Sequence, residues 1–178
     1  VEKQPCTKNV YLVGLMGAGK TTIGKALAKR LELGFVDSDR VVEERTGVSI
    51  PTVFEIEGED GFRKRESQVI ADLSRANGLV VATGGGAVLR PENRANMRGN
   101  GFVVYLNVPP HLLWERTRHD KNRPLLKVPN PLNRLRELYV ERDPYYREVA
   151  DLIVDGSRMK TQGILHLLVK EIGEQWKL

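Results

Sequence analysis

With 178 residues, a net charge of +5 and only 6% aromatic residues, the chain is long enough for one domain with its own core. It is basic without the interleaving of Lys/Arg and stacking rings that marks single-strand nucleic-acid binders, and an anionic small-molecule substrate accounts for the surplus charge. The lone cysteine, Cys6, excludes a disulfide framework or Cys-rich zinc site within this chain; with no apolar run of membrane-spanning length and no secretion-type apolar stretch in the leader 1–9, a cytoplasmic setting is expected.

The first predicted strand, VYLVG at 10–14, runs into GLMGAGKTT. Positions 14–21 match GxxxxGKT, a loop whose glycines leave backbone N–H groups free to wrap phosphate oxygens at a helix N-terminus. In that reading Lys20 reaches the β and γ phosphates and the Thr21 hydroxyl is a Mg²⁺ ligand. The dinucleotide pattern GxGxxG fails, because Thr22 stands where its third glycine belongs. Residues 20–31 then predict a helix with Ile23, Leu27 and Leu31 on one face.

A second strand at 35–37 leads into DSD. If the strand continues, Asp37 and Asp39 point to one face and can divide the work of holding hydrated Mg²⁺ and accepting a hydroxyl proton. The alternative is that one of them caps the helix that follows. Residues 59–75 predict a helix in which Arg63 and Glu66 lie one turn apart, either a solvated ion pair or an oriented fork for a carboxylate or phosphate.

The third strand, 79–83, ends in TGGG: either a turn or a place where a ligand approaches bare backbone. The fourth strand, 102–106, ends in NVPP, and Pro109 opens a helix from its first turn. WERTRHDKNRPLL at 114–126 is dense in charge, either a solvated loop or a lid whose arginines meet phosphate. In ERDPYYREVAD at 141–151, Arg142 precedes Pro144, where a helix tends to end and a side chain can turn into a cleft. Arg134, Arg136 and Arg147 read as surface charge, and His111, His119 and His166 have no ligand spacing. A fifth strand at 152–155 precedes a packing helix at 161–176. Strands alternating with helices predict an α/β fold, a parallel sheet covered on both faces with ligands at the carboxyl ends of its strands.

Five motifs in this order, GLMGAGKTT, DSD, FRKRE, TGGG with RPLL, and ERDPYYREVAD, resemble the shikimate kinases, small P-loop kinases. The resemblance extends from Asn9 to about Lys170. It implies a five-stranded parallel sheet sandwiched by helices in a single P-loop kinase domain, 1–178, with an acceptor-binding region about 38–66 and a lid about 114–127. It implies ATP-dependent phosphorylation of the 3-hydroxyl of shikimate by a monomer, with Mg²⁺ as cofactor and neither nucleic acid nor membrane as partner.

Carried onto matching positions, Gly17, Ala18, Gly19, Lys20, Thr21 and Thr22 hold the ATP phosphates, with Arg123 reaching them from the lid and Arg116 near the adenine. Thr21 directly and Asp37 through water hold Mg²⁺. Asp39 binds the acceptor hydroxyls and serves as base, beside Lys20 and Arg123 as catalytic groups. Arg63 and Arg142 clamp the acceptor carboxylate, with backbone from Gly84, Gly85 and Gly86 closing the site. One departure stands near the nucleotide: Met159, beside Arg158, where relatives place a polar Gln or Arg. Competing readings are a kinase for gluconate or a nucleoside monophosphate, a nucleotide-binding regulator without turnover, and a nucleic-acid-stimulated NTPase.

Overall fold

The computed structural model describes residues 8–120 and 127–176. Five parallel strands, β1 (Asn9–Val13), β2 (Gly34–Asp37), β3 (Leu79–Ala82), β4 (Gly101–Asn107) and β5 (Leu152–Asp155), lie in the order β2-β3-β1-β4-β5. β1 is the central strand, and Val10 to Val13 are wholly buried. Burial on both faces is why it reads as a continuous apolar run rather than an alternation. The chain moves outward from β1 to β2 and returns through β3 before crossing to β4, so β1 stands at a topological switch point, with a crevice outside its carboxyl end.

The helices are α1 (Lys20–Leu31), α2 (Ser38–Thr46), α3 (Ile50–Ser74), α4 (Pro91–Gly99), α5 (Pro110–Thr117), α6 (Pro131–Val149) and α7 (Thr161–Trp176), with a 3₁₀ turn at Ala87–Leu89. A main core joins the sheet to α1, α4, α5, α6 and α7. A second cluster, Val42, Val53, Phe62 and Val69, lies between α2 and α3, beside the acceptor half of the crevice.

Four local expectations are corrected. β2 stops at Asp37 and Ser38 begins α2, because the Asp37 carboxylate caps that helix; Asp39 therefore sits in a helical first turn, not on a strand. The helix expected from residue 59 is the second half of a longer element that starts at Ile50 and breaks at Gly58. Pro109 caps α5, and Pro110 is its first helical residue. α6 runs through Pro144 to Val149, held by the buried Leu135, Leu138, Tyr146 and Val149, so no helix end lies beside Arg142.

Gly58 has φ 73° and ψ 179°, a backbone region essentially confined to glycine. A bidentate pair spans the break, Arg65 Nε and Nη2 donating to Glu57 Oε2 and Oε1 at 2.8 and 2.6 Å. A Cβ at Gly58 would meet open space, so conformation alone decides the effect of substitution. Gly58→Ala is expected to lower stability by about 1–3 kcal/mol, read from the urea midpoint at unchanged m-value.

Candidate active site

The loop after β1 turns on glycines with positive φ, Gly14 at 149°, Gly17 at 83° and Gly19 at 99°. At Gly17 space is also short, since a Cβ there would lie 2.6 Å from Thr117 Cγ2 of α5. Gly19 caps α1 without a side chain, leaving the positive end of the helix open to the crevice. Lys20 Nζ folds back over the loop, donating to the carbonyls of Gly14 and, at 3.0 Å, Leu15. A cleft of about 860 Å³ runs from this loop past Arg116 to Met159 and Ile164.

Asp37 fills both roles that its motif left open. Its Oδ1 accepts from the backbone N–H groups of Asp39 and Arg40 at 3.0 and 3.4 Å, capping α2. Its Oδ2 accepts from the Thr21 hydroxyl at 3.1 Å. Two hard oxygen donors therefore meet at the mouth of the phosphate loop, a donor set that suits Mg²⁺ retaining several waters. Asp39, two residues further on, lines both this cleft and an adjoining cavity of about 410 Å³.

That second cavity holds the buried charges. Arg63 is 7% exposed and Arg142 2%. Arg63 Nη1 donates to Glu66 Oε1 at 2.9 Å, and Glu59 lies 3.4 Å from Nη2. Burial pushes the Glu66 carboxyl up, opposed by the Arg63 and Arg142 guanidiniums. Arg142 has no carboxylate ion pair among the described residues, and its Nε is buried without a hydrogen-bond partner. A desolvated guanidinium in that position favours an anionic ligand. Phe54 and Phe62, with ring centroids 4.9 Å apart, add an apolar wall.

Two of the three glycines of TGGG are explained by these side chains. A Cβ at Gly84 would lie 2.7 Å from Asp39 Oδ1 and 2.8 Å from Glu66 Oε2, and one at Gly86 would overlap the Arg63 guanidinium. At Gly85 it would lie in ordinary contact, 3.4 Å from Arg142 Nη1. At Gly84 and Gly86 there is no room for a side chain because those of Asp39, Glu66 and Arg63 occupy the space.

The crevice thus brings together Gly17 to Thr22, Asp37, Asp39, Arg63, Gly84 to Gly86 and Arg142. Arg116 is exposed and donates to the Gly17 carbonyl at 3.2 Å. Arg123 lies outside the described residues. Met159 lines the nucleotide-sized cleft, whereas Arg158 is 86% exposed at its side chain and faces Asp155 at 3.5 Å. All three histidines are exposed. Sequence reasoning missed Ser38, Phe54, Glu59 and Tyr146. Only Phe54 carried a signal, standing eight residues before Phe62 across a glycine.

The family model for shikimate kinase matches residues 16–173. A shikimate kinase of Dechloromonas aromatica (strain RCB) is 60% identical over 164 residues, 92% of this chain and 90% of the relative. The solved shikimate kinase from Acinetobacter baumannii in complex with shikimate superposes with a TM-score of 0.91 at 46% identity, covering 94% of each chain. That from Aquifex aeolicus gives 0.80 at 36% identity over 94% of this chain and 98% of its own. Matches that span nearly the whole chain place it plainly: the chain belongs to the shikimate kinase family.

Proposed function

We infer that this chain transfers the γ-phosphoryl group of ATP to the 3-hydroxyl of shikimate, giving shikimate 3-phosphate and ADP. The observation that carries the acceptor assignment is the second cavity. Its two buried guanidiniums, only one of them in an ion pair with a buried carboxylate among the described residues, line one cavity with Asp39 and an apolar wall. A cyclic hydroxy acid supplies the missing anion, a ring face for Phe54 and Phe62, and hydroxyls for Asp39.

Phosphoryl transfer asks for alignment and charge neutralisation more than covalent chemistry. The loop N–H groups from Gly17 to Thr22 cradle the phosphates, and Lys20 exchanges its loop carbonyls for the β and γ oxygens. Arg123 reaches the same oxygens from the lid, and Arg116 lies along the adenine. Thr21 and Asp37 would hold Mg²⁺, which when bound would supply charge neutralisation at the phosphates. Arg63 and Arg142 fix the acceptor carboxylate and so choose which hydroxyl is presented. As the acceptor O–P bond forms and the bond to the ADP oxygen breaks, the hydroxyl proton passes to Asp39. Residues 114–127 act as the lid that excludes water as a competing acceptor. A monomeric working unit and a cytoplasmic setting belong to the same proposal, supported by the size of the chain and by its family.

ADP release with MgATP and shikimate, gluconate, AMP, CMP or no acceptor tests this reading. Release only with shikimate is expected; silence with all, alongside ATP binding, rejects it. Asp39→Asn is expected to keep ATP binding while kcat falls at least about a hundredfold, the lower range for loss of a general base. Near-normal turnover would remove Asp39 from that role. Arg142→Ala is expected to raise the shikimate KM with the ATP KM largely kept, measured in the same coupled assay.

A further inference from the structure

The backbone at 84–86 closes the acceptor cavity yet has no side chains of its own with which to anchor itself. Its ends are secured locally. Thr83 donates its hydroxyl to the Leu12 carbonyl at 2.8 Å, and Asn93 Nδ2 donates to the Ala87 carbonyl at 2.9 Å. Between those ends, two hydroxyls from opposite sides of the crevice grip the glycines. Gly84 N–H donates to Ser38 Oγ at 3.1 Å, and Tyr146 Oη donates to the Gly85 carbonyl at 2.5 Å. Both side chains are fully buried, and the Ser38 bond lies wholly out of water.

Each hydroxyl belongs to an element that also carries an acceptor-facing group. Ser38 is adjacent to Asp39 at the start of α2. Tyr146 lies one turn beyond Arg142 on α6, on the same face, and the Arg142 guanidinium is close enough to oppose the upward push that burial gives the phenol. Displacing Gly84 moves it against Asp39 and Glu66, whose oxygens leave no room even for a methyl group. Displacing Gly85 moves it against Arg142.

We propose that the hydroxyls of Ser38 and Tyr146 are positioning groups for the acceptor site, fixing the glycine backbone in register with Asp39 and Arg142. The inference rests on the kinase reading above and deepens it. It separates two functions of one crevice: loss of either hydroxyl acts first on acceptor recognition, because each hydroxyl bonds the glycine backbone and neither bonds residues 14–22 among the described residues.

Tyr146→Phe keeps the ring packed on Tyr105, whose centroid is 4.9 Å away, and Ser38→Ala removes one buried oxygen. With folding checked by circular dichroism, each variant is expected to raise the shikimate KM roughly tenfold, within the range that small misplacements of binding groups produce. The ATP KM stays within about twofold. Hydrogen exchange is expected to quicken at 84–89 and not at 14–22. A shikimate KM within about twofold of the parent overturns the proposal for that hydroxyl, and a parallel rise in ATP KM replaces positioning with general loosening. If Tyr146→Phe does not fold, Ser38→Ala decides for the loop. The parent chain in the same assay separates the two readings: a parent silent with shikimate rejects the kinase function, whereas an active parent with unchanged variants rejects only the positioning role.

Discussion

Two guanidinium groups almost removed from water, at the carboxyl ends of a parallel sheet, set the terms for everything around them. Buried charge is tolerated only when paired or hydrogen-bonded, and removing one partner of such a pair typically costs about 3–5 kcal/mol. Arg63 is met by Glu66 one turn away on α3. Arg142 arrives from α6 without an equivalent carboxylate among the described residues. Gly84 and Gly86 follow from that crowding, since the side chains of Asp39, Glu66 and Arg63 fill the space that Cβ atoms would need.

The nucleotide cleft and the acceptor cavity are not independent compartments. Met16, Asp37, Asp39, Gly84 and Gly85 line both. Asp37 couples them most directly, because one carboxylate caps the helix that carries Asp39 while accepting from Thr21 of the phosphate loop. A change at the phosphate loop therefore has a short path to Asp39: Thr21 to Asp37, then to the first turn of α2. The second hydrophobic cluster, between α2 and α3, lets this acceptor side pack on itself while the main core stays with the sheet. The break at Gly58 sets the direction of the α3 segment that brings Phe54 to the cavity.

Those features legible in the sequence were the ones specified by neighbours along the chain. The phosphate loop is a nine-residue pattern between a strand and a helix, and α1, β5 and α7 begin and end where their apolar spacing places them. Arg63 and Glu66 could be paired by helical spacing alone, but their burial could not, because it depends on α2 and on the glycine loop packing over them. Ser38 and Tyr146 were invisible for the same reason, reaching partners 46 and 61 residues away through the sheet topology. A hydroxyl one residue from a noted aspartate carries no sign of which backbone it will grip. Asp37 misled in a different way: capping and strand continuation were posed as alternatives, whereas two carboxylate oxygens serve two partners at once.

Pro144 makes the same point about propensity and packing. Proline inside a helix removes one backbone hydrogen bond and crowds the preceding turn, so a helix end near Arg142 was the natural expectation. The bond removed is the one to the Val140 carbonyl, and Val140 is 75% exposed, so water can replace the lost donor. Side chains also tie α6 to β4. Tyr105 of β4 donates to Asp143 at 2.8 Å, and Tyr139 donates to Asn107 at 2.9 Å. Had the helix ended at the proline, Arg142 and Tyr146 would no longer share a face, and the guanidinium and the hydroxyl that grips Gly85 could not be set by one rigid element. Continuation through Pro144 is therefore a requirement of the acceptor site: β4 is tied to α6, and α6 in turn grips the glycine loop.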